Sequence, residues 1–159
     1  MNSTYLLLGS NMGNSQEQLQ RAVQFISKEI GRVTRESSLY KTAAWGNTNQ
    51  PDFLNQVIIV NTGLDALKTL EQILAIEIKM GRIRTIKNAP RIIDIDILFF
   101  NNEIITEQQL KVPHPEIPNR RFVLTPLDEL SPGMVHPFLN KTIHQLLEEC
   151  SDPLDVKKF

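Results

Sequence analysis

Arg91-Ile92-Ile93-Asp94-Ile95-Asp96-Ile97-Leu98 places two carboxylates one residue apart. Side chains of a strand alternate between faces, so Asp94 and Asp96 share one face while Ile93, Ile95 and Ile97 turn into a core on the other. Carboxylates ~7 Å apart along a strand repel unless positive charge lies between them. Hard divalent cations bind such oxygens, and Mg²⁺ commonly takes one or two carboxylates together with substrate phosphates. The solvated face of an edge strand also produces a bare D-x-D, so the neighbouring charges matter. Between Ile78 and Ile93 stand Lys79, Arg82, Arg84, Lys87 and Arg91 and no acid. Arg82 and Arg84 follow a helix end, where cations are favoured in any case. Yet a basic loop running into a paired-acid strand is how a phosphate-plus-metal site is built, arginines gripping oxyanions and acids holding the ion. Arg120 and Arg121 offer a second cationic arm.

Other residues suit a small planar ligand. Phe53 and Asn55, in Gln50-Pro51-Asp52-Phe53-Leu54-Asn55, share a face at a strand start. An aromatic ring stacks, and an amide both donates and accepts. A core Phe53 with Asn55 in a turn is the competing reading. Phe122 is a stacking face or a helix core residue. His114, between Pro113 and Pro115, is a positioned imidazole or a surface histidine. Gly9-Ser10-Asn11-Met12-Gly13 lacks the Gly-Lys-Ser/Thr that completes a Walker A loop. Neither a protein-kinase motif set, a Ser-His-Asp set nor H-E-x-x-H occurs.

The elements that must hold these groups are legible in outline. Thr4–Leu8 reads as a strand ended by Gly9. Asn14 or Ser15 caps a helix with Leu19, Ala22, Val23, Ile26 and Ile30 at helical spacing, ended by Gly31. Residues 32–40 read as extended, and 41–51 as an open loop containing Trp45. Phe53–Thr62 carries the β-branched run Val57-Ile58-Ile59-Val60 of a strand. Asp65 starts a helix with Leu67, Leu70, Ile73, Leu74 and Glu77 as its stripe, and Gly81 ends it. Ile92–Asn101 is a strand, and 103–112 a further extended segment. A helix over Arg121–Leu130 should be interrupted or kinked by Pro126. Thr142–Cys150 is a last helix, and the tail to Phe159 is expected to be loose. The order β-α-β-β-α-β predicts an α+β fold, a ferredoxin-like antiparallel sheet with helices on one face and added helices after Pro118. The 159 residues suit one domain, 1–159.

The chain carries a net charge of −1, which argues against a general nucleic-acid or anionic-membrane binder. That total is a cancellation: the sixteen residues from Ile78 to Ile93 contribute +5, leaving −6 for the rest. One cysteine, Cys150, excludes an intrachain disulfide and argues against a cysteine metal cluster. Apolar runs are too short for a membrane span or a signal-peptide core, so a reducing, cytoplasmic setting is expected. A binding module without chemistry, such as an RNA-binding domain, would want aromatic rings where Asp94 and Asp96 stand. A metal-dependent phosphohydrolase built on the acid pair remains a third reading.

The residues together resemble the 6-hydroxymethyl-7,8-dihydropterin pyrophosphokinases of folate biosynthesis. The resemblance rests first on Lys87-Asn88-Ala89-Pro90-Arg91-Ile92-Ile93-Asp94-Ile95-Asp96-Ile97-Leu98. Tyr5-Leu6-Leu7-Leu8-Gly9-Ser10-Asn11, Tyr40-Lys41-Thr42, the segment 50–55, Glu77, Gly81-Arg82-Ile83-Arg84 and Val112-Pro113-His114-Pro115 follow in the expected order. It implies transfer of the β,γ-pyrophosphate of ATP to the pterin hydroxymethyl group, with AMP leaving. By matching position it implies that Asp94 and Asp96 hold two Mg²⁺ ions, and that Arg82 and Arg91 act on the transferring phosphates as catalytic groups. Arg84 would join as its loop closes. Glu77, Ile97, His114 and Arg120 would contact ATP. Thr42, Ala43, Trp45 and Asn55 would contact the pterin, and Phe53 and Phe122 would sandwich it. Phe53 stands where a Tyr is frequent, which keeps the stack and loses a phenol. The implied partners are these two small molecules, with no nucleic acid or membrane, and the implied state is a monomer.

Overall fold

The computed structural model describes residues 1–43, 49–82 and 90–159. Trp45, Arg84 and the expected loop closure lie outside the described residues.

The first strand, β1 (Asn2–Ser10), is apolar on both faces. Leu6 and Leu8 enter one core and Leu7 the other. A strand buried on both sides needs a continuous apolar run rather than alternation. After it come α1 (Ser15–Glu29), β2 (Gly31–Glu36), β3 (Tyr40–Thr42), β4 (Phe53–Thr62), α2 (Ala66–Lys79) and β5 (Asp94–Phe100). The chain continues through the short β6 (Ile105–Thr106) and β7 (Lys111–Val112) to α3 (Arg121–Leu130), α4 (Ile143–Glu149) and β8 (Val156–Lys158). The sheet order is β5-β1-β4-β3-β8, with β2 beside β3 on the same edge of β4. All of its pairs are antiparallel. This is the expected βαββαβ arrangement, with β6-β7 a separate two-stranded ribbon.

Helix ends follow their caps. Asn14 accepts from the Glu17 amide at the start of α1, Asp65 from Lys68 at the start of α2, and Thr142 and Gln145 form a reciprocal capping box on α4. Gly31 passes so close to β4 that a Cβ would sit 2.1 Å from the Asn61 carbonyl oxygen. That contact lets the chain turn directly from α1 into β2.

Several expectations are corrected. Residues 32–40 form two strands rather than one, broken at Ser37, whose amide donates to the Val57 carbonyl and whose hydroxyl accepts from the Val57 amide. The core stripe of α2 is Ala66, Thr69, Ile73, Ile76 and Glu77, while Leu67 and Leu74 are exposed. Thr69 fits a core because its hydroxyl donates to the Asp65 carbonyl. Residues 103–112 form a narrow ribbon, not one long strand. Helix α3 runs through Pro126, which forgoes one backbone bond while Val123, Leu124, Leu127 and Leu130 bury their side chains. The tail is not loose: β8 pairs with β3, Thr42 opposite Val156. As expected, the two helices of the βαββαβ unit share one face; the added α3 and α4 cover the other. The core under α1 and α2 includes Leu6, Leu8, Ile95 and Ile97. The core under α3 and α4 includes Leu7, Val57, Leu98 and Phe99. Alternation along β5 fails at Leu98-Phe99, because a register shift opposite Tyr5/Leu6 puts both residues in the second core.

Candidate active site

On the second face, α3 and α4 stop short of the Gly9 end of β1 and leave a cavity of about 390 Å³. Strand register decides what faces it. Gly9 pairs with Asp94 on one side and with Asn55 on the other. Asp94, Gly9 and Asn55 therefore form one row across three strands, and adjacent strands lie ~4.8 Å apart, so the two side chains start ~10 Å from each other. Gly9 is the floor between them. A Cβ there would come within 2.8 Å of the Asn55 Oδ1, so any side chain would push the amide aside.

The β5 side is charged. Arg82 Nη1 donates to Asp94 Oδ1 and to Glu77 Oε2, both at 2.6 Å, and Arg91 Nη1 donates to Asp94 Oδ2 at 3.1 Å. Burial works against the Arg82 charge, but the carboxylates of Asp94 and Glu77 outweigh it and raise the Arg82 pKa. The Asp96 carboxyl is pushed up to about 7, first by burial and then by the negative charges of Asp94 and Glu77, with Arg82 and Arg91 opposing. The two acids thus differ: Asp94 is compensated by arginines, and Asp96 is short of positive charge. Burial and the nearby Arg120 lower the His114 pKa. Its Nδ1 accepts from the Glu116 amide at 3.1 Å, which leaves the proton of the neutral ring on Nε2.

The β4 side is apolar with two buried polar atoms left over. Asn55 Nδ2 and Thr42 Oγ1 have no hydrogen-bond partner among the described residues. Unpaired buried donors and acceptors cost on the order of 1–3 kcal/mol each, so a ligand that pairs with them gains by comparison. Phe53 and Phe122 line the same cavity, and the Arg120 guanidinium lies 5.8 Å from the Phe122 ring centre.

The structure gathers most of the expected site residues on this cavity: Thr42, Ala43, Phe53, Asn55, Arg82, Arg91, Asp94, Asp96, His114, Arg120 and Phe122. Glu77 is not on its wall. It is 2% exposed and accepts from Arg82 and from the Ile95 amide. The Ile97 side chain is in the opposite core. Arg121, read as part of a cationic arm, turns away and donates to the carbonyls of Cys150 and Asp152.

Two residues escaped the sequence reading. Gly9 reads in sequence as a strand end, and only the register shows it as the cavity floor. Asn11 is 2% exposed and ties two loops together. Its Nδ2 donates to Gln50 Oε1 and the Pro51 carbonyl, while its Oδ1 accepts from the Arg91 amide. A buried Asn just past a strand, outside any cap, is the signal that could have found it.

Among the described residues no group of three or more His, Cys, Asp or Glu side chains is placed to hold a metal ion. Asp94 and Asp96 alone leave most of the coordination sphere of a hard cation open. The donor set therefore fits an ion that arrives with further oxygens, as a metal–phosphate complex does.

The family model for 7,8-dihydro-6-hydroxymethylpterin-pyrophosphokinase matches residues 5–132. The 2-amino-4-hydroxy-6-hydroxymethyldihydropteridine pyrophosphokinase of Haemophilus influenzae is 36% identical over 158 residues, 99% of this chain and 98% of that protein. The folic acid synthesis protein fol1 of Schizosaccharomyces pombe is 40% identical over 94% of this chain, which spans only 20% of that larger protein. The wild-type HPPK-DHPS of Plasmodium falciparum shares the fold, with a TM-score of 0.78 over 93% of this chain and 43% of that one, at 20% identity. By family match, by identity to full-length relatives and by fold, this chain belongs to the 7,8-dihydro-6-hydroxymethylpterin-pyrophosphokinase family.

Proposed function

We propose that this chain transfers the β,γ-pyrophosphate of ATP to the hydroxymethyl group of 6-hydroxymethyl-7,8-dihydropterin, in folate biosynthesis, and that it does so with Mg²⁺. The observation that carries the reading is the row Asp94-Gly9-Asn55, which sets an acid-and-arginine wall ~10 Å from a pair of unpartnered buried polar groups beside aromatic rings. That separation suits a planar head on β4 and a triphosphate on β5.

In this reading Phe53 and Phe122 cover the faces of the pterin, and Asn55 and Thr42 pair with its polar edge. Asp94 and Asp96 would hold two Mg²⁺ ions, and these would supply neutralisation of the triphosphate charge. Arg82 and Arg91, which both bond to Asp94, would grip the β- and γ-phosphates. His114, whose amide donates to the Leu98 carbonyl of β5, and Arg120, at the start of α3, approach the nucleotide. The pterin hydroxyl gives its proton to bulk water, its oxygen bonds to Pβ, and the bridge between Pβ and Pα breaks with the electron pair on AMP. The protein's part is alignment and charge neutralisation, which dominate in phosphoryl-type transfer. The same reading takes the chain as a monomer with one domain, residues 1–159. No helix among the described residues is long and apolar enough to cross a membrane.

The test is to incubate the protein with Mg-ATP and the hydroxymethyl pterin and to follow AMP. AMP formed only when both are present supports the reading. Phosphate released from ATP without the pterin would favour a phosphohydrolase, and no turnover would favour a binding module.

A further inference from the structure

The wall opposite the acid pair hangs on α3, whose first turn brings Arg120 and Phe122 to the cavity. Arg120 stands at the N-cap position of α3 but gives it no side-chain hydrogen bond. A helix start has free N–H groups that need an acceptor. One comes from thirty residues on. Asp152, 6% exposed, accepts from the Arg121 amide through Oδ2 at 3.0 Å. Its Oδ1 accepts from the Leu154 amide at 3.0 Å. The Arg121 side chain returns the tie, Nε to the Asp152 carbonyl at 3.2 Å and Nη2 to the Cys150 carbonyl at 2.8 Å. A carboxylate at a helix N-terminus is also favoured by the helix dipole.

The same segment then crosses to the other wall. Val156 pairs with Thr42 and Lys158 with Tyr40, and the Phe159 amide donates to the Leu39 carbonyl. Residues 150–159 thus join the start of α3 to the strand that carries Thr42, the two sides between which a planar ligand would lie.

We propose that Asp152 is a positioning residue for this site: as a cap supplied from a distant segment, it fixes the start of α3 so that Phe122 and Arg120 meet the pterin and the nucleotide. This rests on the function proposed above. Asp152 touches no reacting atom, so its loss acts on binding more than on the chemical step.

The experiment compares wild type, Asp152→Ala, Asp152→Asn and Asp65→Ala. Asp65 caps α2 at the end of the molecule away from the cavity, so Asp65→Ala controls for lost stability alone. Assays at a temperature where all four are folded should show KM for the pterin raised roughly tenfold in Asp152→Ala, with kcat changed less than about threefold. Asp152→Asn has one acceptor oxygen for two N–H donors and should fall between. Amides 121–124 should lose hydrogen-exchange protection in Asp152→Ala and keep it in Asp65→Ala. Equal KM values for Asp152→Ala and Asp65→Ala would overturn the inference. If Asp152→Ala does not fold, the same comparison is read from Asp152→Asn. A wild type that forms no AMP would overturn the underlying functional reading, and this inference with it.

Discussion

Removing Asp94 and removing Asp96 have different consequences for the fold. Arg82, with 8% of its side chain exposed, is held by Glu77 and Asp94. Asp94→Ala leaves that buried charge with one carboxylate fewer, a loss of about 1–3 kcal/mol. Asp96 sits where burial and two negative neighbours disfavour its ionised form, so Asp96→Asn relieves repulsion. Both variants should lose AMP production. In metal-free buffer at pH 8, Asp94→Ala melts lower than wild type, while Asp96→Asn melts at the same temperature or higher. A lower Tm for Asp96→Asn would contradict the charge balance described for it. On the other wall, Asn55→Ala removes the unpartnered amide and should weaken pterin binding by about 1–2 kcal/mol, roughly tenfold in Kd. Titration of pterin fluorescence reads this directly. Gly9→Ala should weaken it at least as much, by displacing the Asn55 amide and raising the cavity floor.

Two elements make predictions of their own. A Cβ at Gly31 would collide with backbone, not with a movable side chain. Gly31→Ala therefore lowers Tm although alanine suits a helix end, and chemical denaturation should place the loss at about 2 kcal/mol or more. The turn after α3 depends on a neutral histidine. His136, 4% exposed, accepts from the amides of Phe138 and Leu139 through Nδ1 and packs edge-on against Phe99. Burial lowers its pKa. A base whose folded pKa lies below its unfolded value gives its full stability above the unfolded value, here 6.5, and loses it as the pH falls further. Melting curves from pH 7.5 to 5 should show a decline that His136→Gln reduces; equal declines in both proteins would rule the histidine out as the cause.

Across the whole molecule, the cavity joins two half-sites with separate chemical requirements. Ligands that bind only the folded protein raise its stability by mass action, about 2.7 kcal/mol at a hundredfold excess over Kd. The pterin should raise Tm with or without EDTA, whereas ATP should raise it only with Mg²⁺. A nucleotide shift that survives EDTA would remove the metal from the proposal. The charge distribution has the same logic. The chain shows a +5 stretch beside a −6 remainder; in the fold, two of its arginines, Arg82 and Arg91, are paired with Asp94, and Arg82 also with Glu77. Such pairing keeps the wall compensated without a ligand, as a site proposed for a triphosphate requires.

The sequence alone determined the kind of chemistry and the order of elements. Alternation put Asp94 and Asp96 on one face, β-branched runs and caps marked the strands and helices, and the motif order pointed to the family. These are local properties, set by side-chain periodicity and by hydrogen bonds within a few residues. Tertiary structure decided which groups meet. Register made Gly9 the floor between Asp94 and Asn55, and put Glu77 beneath Arg82 rather than on the cavity wall. Long-range bonds turned Arg121 toward Asp152 and made a strand of the tail. Burial separated two adjacent aspartates into a compensated one and an uncompensated one. Such outcomes depend on contacts between residues 30 to 100 positions apart in many of these cases, as with Asn11 and Arg91 or Arg121 and Asp152. No local pattern encodes them, because the free energy of each contact exists only once the sheet has brought its partners together.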